Sequence, residues 1–151
     1  MKQADIPTLI DRMADELRQR LNIDKHTVMV GIHTGGVWIA RLLHARLGIQ
    51  NPLGTLDISF YRDDFTRIGM NPQVKPSELP FTLDGRTIIL VDDVLHTGRT
   101  VRAAMNELFD YGRPASIMLA TLIERDGREL PIQANVVGRH VELSRHEHIK
   151  L

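Results

Sequence analysis

The sequence contains no cysteine, which excludes disulfide bonds and thiolate metal sites. It has no excess charge of either sign, because 19 Lys and Arg residues balance 19 Asp and Glu residues. The overall charge therefore gives no reason to expect a nucleic-acid binder. No apolar run approaches the roughly 18 residues that a membrane helix needs, and the amphipathic, acid-containing N-terminus is unlike a signal peptide. These absences predict a cytoplasmic protein with no membrane partner.

The chain has enough residues and enough apolar side chains for one domain. Its 151 residues, 42% of them hydrophobic, can bury a substantial core. They are too few for two comfortable domains. We therefore predict a single domain over residues 1–151.

Strands and helices are predicted to alternate along the chain. Apolar residues at three- and four-residue spacing predict helices over residues 5–22, over 35–48, and from Thr100 to Gly112. Short apolar, β-branched runs predict strands in TVMVGIH (27–33), LGTLDISF (53–60), RTIILVDD (86–93) and ASIMLATLI (115–123), with one or two more in ANVVGRHVEL (134–143). Such alternation is typical of an α/β fold with a mostly parallel central sheet flanked by helices.

Two adjacent acids, Asp92 and Asp93, end the most apolar predicted strand. Ligands of open parallel sheets bind beyond the carboxyl ends of the strands, so we expect both side chains to point out of the sheet edge. The next helix begins near Gly98, where N–H groups suit an anion and Thr97 and Thr100 add hydroxyls. This pattern predicts a sugar-phosphate site, with ribose hydroxyls or Mg²⁺ at the carboxylates. A response-regulator receiver also has acids at strand ends, but it does not predict the TGRT loop.

Residues 61–80 show no hydrophobic period and contain three prolines. A stretch of about 20 residues without regular structure in a compact domain is typical of a functional lid. We therefore predict a lid there.

The stretch IILVDDVLHTGRT (88–100) resembles the phosphoribosyl pyrophosphate (PRPP) signature of the type I phosphoribosyltransferases. The stretches GIHTGG, LDISFYRDDF and ERDGRELPIQANVVG extend the resemblance, in collinear order over about residues 5–143. They resemble the pyrimidine operon attenuators of that family, which are also uracil phosphoribosyltransferases. The resemblance implies the type I fold, with a flexible lid loop and a small C-terminal hood. It also implies conversion of uracil and PRPP to UMP and pyrophosphate, with Mg²⁺ as cofactor.

The resemblance assigns the catalytic role, the ribose hydroxyls and the metal to Asp92 and Asp93. The further PRPP-binding residues it implies are Val94, Leu95, His96, Thr97, Gly98, Arg99 and Thr100. The resemblance also implies a pyrophosphate loop at His33, Thr34, Gly35 and Gly36, and a lid at Tyr61 and Arg62. It implies a uracil pocket in the loop after ATLIE, formed by Ile123, Glu124 and Arg125. It implies an RNA face formed by Arg12, Arg20, Arg125, Arg128 and Arg139. The implied partners are leader mRNA and further copies of the chain, in a homodimer or a higher homo-oligomer.

Several departures from the family pattern keep two alternatives open. Gly35 stands where an arginine is usual, and His96 stands where a tyrosine is usual. Asp11 and Asp15 bring negative charge to the first helix, and Gln133 replaces a usual arginine. One alternative is a nucleotide-sensing, RNA-binding attenuator with weak or no transferase activity. The other is a purine-base transferase, which the GRELPI and YRDD stretches disfavour.

Overall fold

The structure, a computed structural model, describes residues 5–58 and 77–142. The elements in these ranges are α1 (Ile6–Arg20), β1 (Thr27–Ile32), α2 (Gly35–Leu47), β2 (Gly54–Leu56), β3 (Thr87–Leu95), α3 (Arg99–Tyr111), β4 (Ser116–Arg125) and β5 (Val136–Val141). The predicted alternation of strands and helices is confirmed, and the predicted terminal strand region contains β5. No helix within these two ranges is long and apolar enough to cross a membrane.

The five strands form one parallel sheet in the order β2-β1-β3-β4-β5, which confirms the predicted sheet. In the register of the sheet, Val91 lies between Gly31 of β1 and Ala120 of β4. Because parallel strands end at the same side of a sheet, the loops that follow β1, β3 and β4 are neighbours. We call this side of the sheet the carboxyl edge.

Apolar side chains cover both faces of the central strands. Helices α1 and α2 pack on one face, where they contact Ile89 and Val91 of β3. Helix α3 packs on the other face, against Ile88 and Leu90. Strand β3 is therefore buried on both sides, which explains its uninterrupted apolar run. This packing directs the beginnings of α2 and α3 toward the carboxyl edge.

Most of the predicted lid, including Tyr61 and Arg62, lies outside the described residues. The residues that flank this segment are joined beside β2. The N–H of Asp57 donates to Ser77 Oγ at 3.0 Å. Thr55 and Glu78 exchange two backbone hydrogen bonds of 2.8 and 2.9 Å. The two ends of the segment are thus held at the same place on the sheet.

Candidate active site

The acid pair lies at the carboxyl edge, near the end of β3. Asp93 is half-buried, whereas only 5% of Asp92 is exposed. Asp92 Oδ1 accepts a hydrogen bond from the N–H of Asp93, and Asp93 Oδ1 accepts one from the N–H of Val94, each at 2.8 Å. Asp92 is therefore far less exposed than the expectation of two side chains pointing out of the sheet edge implies, although it lines the cavity described below. The start of α2 covers Asp92: a Cβ atom at Gly36 would lie 3.2 Å from Asp92 Oδ1.

The HTGG loop (residues 33–36) leads from β1 into α2 and lies directly against the acid pair. A Cβ atom at Gly35 would lie 2.0 Å from Asp93 Oδ2. A Cβ atom at Gly36 would lie 2.6 Å from Val91 O and 3.0 Å from Asp92 Cα. The absence of both side chains thus allows the loop to touch the acids. In particular, glycine in place of the usual arginine leaves the space that the Asp93 carboxylate occupies.

The beginning of α2 has the properties of an anion site. Its first turn has no acidic residue, and Thr34, at its N-cap, makes no side-chain capping bond. The first N–H groups of a helix have no acceptor within the helix, and they carry the positive end of its dipole. The predicted pyrophosphate loop therefore presents N–H groups next to the acid pair.

The HTGRT loop (residues 96–100) leads from β3 into α3. Gly98 adopts the left-handed conformation with φ 94°, which glycine reaches without steric cost. Thr97 Oγ1 accepts a hydrogen bond from the N–H of Arg99 at 3.1 Å. A cavity of about 160 Å³ lies beside this loop, and its lining includes Asp92, Thr97, Gly98 and Thr100. The structure thus brings Asp92 and the predicted phosphate loop together around a space that can hold an anion.

The predicted uracil residues end β4 and do not lie in a loop, which corrects the prediction. The strand continues through Glu124 and Arg125 because β3 lies along one side of it and β5 along the other, with Leu95 and His140 opposite Glu124. The side chain of Ile123 is buried in the core. An open cavity of about 390 Å³ adjoins this strand end, lined by Glu124, Arg128, Leu130, Pro131, Ile132 and Gln133.

Comparison with known proteins identifies the family. Residues 3–148 match the family model described as phosphoribosyl transferase domain. A bifunctional protein PyrR from Nitrosococcus oceani is 59% identical, in an alignment that covers 97% of this chain and 85% of the relative. A bifunctional protein PyrR from Pseudomonas aeruginosa is 58% identical over 95% of this chain and 85% of the relative. The chain belongs to the PyrR family of phosphoribosyltransferases. The resemblance found in the sequence is confirmed.

Solved structures confirm the type I phosphoribosyltransferase fold of this PyrR-family chain. A hypoxanthine-guanine-xanthine phosphoribosyltransferase superposes with a TM-score of 0.69 at 26% identity, covering 93% of this chain and 76% of that one. A purine phosphoribosyltransferase from Pyrococcus horikoshii gives a TM-score of 0.68 at 20% identity, covering 100% of this chain and 94% of that one. The latter likeness concerns the fold alone.

The resemblance to the PyrR family assigns five arginines to an RNA face. All five contact other groups of the protein. Arg20 lies 3.2 Å from Glu16 Oε1, and Arg139 lies 3.5 Å from Asp5 Oδ2. Arg12 donates a hydrogen bond to Gly138 O. Arg125 also interacts with another group of the protein, and Arg128 donates hydrogen bonds that are described below. Exposed ion pairs contribute only about 0–1 kcal/mol, so an RNA phosphate can replace such a carboxylate at little cost.

The buried acid of this PyrR-family site is stabilised in its neutral form. Burial raises the pKa of Asp92 well above its ordinary value, and a side-chain hydrogen bond with Asp93 and the negative charge of Asp93 raise it further, whereas the hydrogen bond from the backbone N–H of Asp93 lowers it. An acid with a raised pKa in the folded state stabilises the fold most below its unfolded pKa. That contribution is lost as the pH rises toward the folded-state value.

An Asp92→Asn variant is expected to unfold at a higher temperature than the wild type at about pH 8, where burying a carboxylate costs most. The difference should shrink as the pH falls toward about 3.9, the ordinary pKa of aspartate. Thermal unfolding followed by circular dichroism across this pH range measures it. A variant that is less stable than the wild type at all pH values would show that Asp92 is buried as a well-compensated anion.

Proposed function

We propose that this chain transfers the phosphoribosyl group of PRPP to uracil, forming UMP and pyrophosphate. The observation that carries the proposal is the convergence of three groups at the carboxyl edge. These are the acid pair, the HTGG loop and the HTGRT loop, and the cavity of about 160 Å³ lies beside the last. Carboxylates can bind ribose hydroxyls but repel phosphates, whereas helix N-termini bind phosphates. Two N-termini that flank two carboxylates match a ribose with a phosphate group on each side.

The order of these groups suggests one orientation of PRPP. Its 5′-phosphate lies on the HTGRT loop, its ribose hydroxyls contact Asp92 and Asp93, and its pyrophosphate lies on the HTGG loop. This arrangement aligns the anomeric carbon for attack and stabilises the departing pyrophosphate with N–H groups that are already in place. A lid that includes Tyr61 and Arg62 would exclude water from the reacting centre.

The acid pair fits Mg²⁺, which prefers carboxylate oxygens and binds through one or two of them together with substrate phosphates. Asp93 is the better ligand, because it is half-buried and its Oδ2 faces the HTGG loop, whereas Asp92 is buried. When bound, the cation would neutralise part of the charge on pyrophosphate.

The uracil base is proposed to occupy the open cavity next to Glu124. The loops after β3 and β4 are neighbours, so this cavity lies close to the HTGRT loop, and Arg128 contacts both regions. Glu124 Oε1 also lies 3.4 Å from His140 Nδ1. The carboxylate can accept a hydrogen bond from a pyrimidine N–H.

The decisive experiment incubates the protein with labelled uracil, PRPP and Mg²⁺ and follows UMP by chromatography. We expect UMP to form with uracil and not with hypoxanthine, and we expect chelation of Mg²⁺ to stop the reaction. A purine nucleotide formed from hypoxanthine would support the purine alternative. PRPP binding without product from either base would support the alternative of a nucleotide-sensing attenuator.

The proposal includes binding of leader mRNA from pyrimidine genes as a second activity. Arg12 and Arg139 support it, because α1 and β5 are packed together and place these arginines near each other. A gel shift at two salt concentrations tests this activity. Affinity should fall as salt rises. A variant that loses one phosphate contact should show a slope of log affinity against log salt that is less steep by about 0.7 for single-stranded RNA.

Self-association and location complete the proposal. Trp38 lies on α2 with 44% of its surface exposed, next to the HTGG loop, and a second copy could cover it. We propose a homodimer or a higher homo-oligomer, which sedimentation of the wild type and of a Trp38→Ala variant would test. The single domain and the cytoplasmic location predicted from the sequence remain part of the proposal.

A further inference from the structure

Residues 127–132, which we call the brace, lie directly against the HTGRT loop. The backbone N–H groups of Glu129 and Leu130 both donate to Thr97 O, at 2.9 and 3.1 Å. Arg99 Nε lies 2.7 Å from Glu129 Oε1, so a side-chain contact supports the backbone contacts. The HTGRT loop is therefore attached to the segment that follows β4.

Arg128 is the centre of this attachment. Its Nη1 donates to His96 O, and its Nε donates to Ile132 O at 2.7 Å. Its Nη2 lies 3.5 Å from Glu124 Oε2, and 25% of its side chain is exposed. One guanidinium thus connects the HTGRT loop, the far end of the brace and the end of β4. The resemblance assigned Arg128 to RNA, but these contacts direct it into the protein.

Close packing accompanies these hydrogen bonds. A Cβ atom at Gly98 would lie 3.3 Å from Ile132 Cβ and 3.5 Å from Arg128 Cδ. A Cβ atom at Gly127 would lie 2.7 Å from His96 Nε2. Each segment thus has a glycine where the other approaches. The packing, in addition to the hydrogen bonds, therefore restricts the position of the HTGRT loop.

The contacts of the brace determine where the donors of the HTGRT loop point. In a planar trans peptide the N–H points opposite to the C=O of the same unit. The only cis peptide of the described residues is His33–Thr34, so the units after His96 and Thr97 are trans. Their two carbonyls point into the brace, toward Arg128, Glu129 and Leu130. The N–H groups of Thr97 and Gly98 must therefore point away from the brace.

We propose that Arg128 is a positioning residue for phosphate binding: through His96 O and the brace, it orients the backbone N–H groups that receive the 5′-phosphate. This inference rests on the proposed function, because it assumes that the HTGRT loop holds that phosphate. Arg128 itself does not touch the phosphate. It acts by fixing peptide planes, so its loss weakens ligands that carry a 5′-phosphate and spares ligands that bind only at the HTGG loop.

The test compares ribose 5-phosphate with inorganic pyrophosphate, each titrated with Mg²⁺ into the full chain in a calorimeter. Ribose 5-phosphate has no base to enter the cavity that Arg128 lines. In Arg128→Met, ribose 5-phosphate affinity should fall about tenfold, the size of effect expected when a charge-assisted hydrogen bond that orients donors is lost, whereas pyrophosphate affinity should stay within about twofold of the wild type. Arg128→Lys, which keeps the charge and can still reach one carbonyl, should recover part of the ribose 5-phosphate affinity.

A matched control is Arg86→Met. Arg86 Nη1 donates to Lys25 O at 3.1 Å, a similar arginine-to-carbonyl bond at the opposite edge of the sheet, so its loss should leave both affinities unchanged. The inference is overturned if ribose 5-phosphate affinity survives in Arg128→Met, or if ribose 5-phosphate and pyrophosphate weaken equally. If Arg128→Met does not fold, the same comparison in Arg128→Lys decides. A wild type that binds pyrophosphate but no ribose 5-phosphate would refute the proposed function itself, and this inference with it.

Discussion

The Asp93→Asn variant is expected to bind PRPP about 100-fold more weakly than the wild type in the presence of Mg²⁺, a loss typical of a charged contact that no other group replaces. Asp93 is half-buried, and its Oδ2 faces the HTGG loop, where the cation and the ribose hydroxyls are proposed to lie. Its Oδ1 accepts the N–H of Val94 at 2.8 Å. An asparagine oxygen can keep that bond, so the fold should survive. Calorimetric titration with PRPP measures the loss.

The chain offers a matched control for this variant. Asp84 Oδ1 also accepts a backbone N–H, that of Arg113 at 2.7 Å, in the loop that precedes β3. Asp84→Asn removes the same charge far from the carboxyl edge, and we expect its PRPP affinity to equal that of the wild type. If Asp93→Asn also binds PRPP like the wild type, the assignment of ribose and metal to Asp93 fails.

The Gly36→Ala variant is expected to lose both stability and activity. Its methyl group would lie 2.6 Å from Val91 O and 3.0 Å from Asp92 Cα, which are main-chain atoms of the central strand. These atoms cannot yield without distortion of the sheet, so α2 must move instead. We expect the free energy of unfolding to fall by about 1–3 kcal/mol, the usual cost of overpacking. Displacement of the HTGG loop by about 1 Å should lower the transferase rate about 100-fold.

The Gly35→Ala variant separates the loss of stability from the loss of activity, because its methyl group would meet a side chain and not the main chain. The added methyl group would lie 2.0 Å from Asp93 Oδ2, 2.6 Å from its Cγ and 3.0 Å from its Cβ. Rotation about the Cα–Cβ bond of Asp93 can move Oδ2 and Cγ away, which leaves only the contact with Cβ. We expect its free energy of unfolding to stay within about 1 kcal/mol of the wild type. Urea denaturation of both variants gives the comparison. Equal stability of Gly36→Ala and Gly35→Ala would contradict the tight main-chain contact at Gly36.

The strands that could be predicted are those that have apolar neighbours on both faces. Strands β1 and β3 are buried on both faces, so their apolar runs identify them without knowledge of their partners. Strand β2 is at the edge of the sheet, and of the described part of the predicted stretch, residues 53–58, only Gly54–Leu56 is strand, although the apolar pattern continues beyond it. The resemblance implies a loop at Glu124 and Arg125. They extend β4 because strands on both sides reach that far.

The chemistry of the site could be predicted from the sequence, but its internal geometry could not. The acid pair followed by TGRT indicates a sugar phosphate because each residue type suits one part of that ligand. The burial of Asp92 depends on how closely α2 approaches, and Gly36 permits that approach from a distant part of the sequence. The resemblance assigns Arg128 to an RNA face, whereas in the structure it contacts the HTGRT loop. The predicted parallel sheet was a usable signal, because the loops that follow parallel strands lie at the same edge of a sheet.

The packing of α1 against β5 has a consequence for synthesis of the chain. Arg12 donates to Gly138 O, and the sulfur of Met13 lies 3.2 Å from the position of a Cβ atom on Gly138. Helix α1 leaves the ribosome well before β5, so it gains this neighbour only when the last described strand emerges. Until then part of its apolar face is bare, and nascent chains with such surfaces aggregate readily. Translation that stalls before Val136 should leave a product that depends on chaperones.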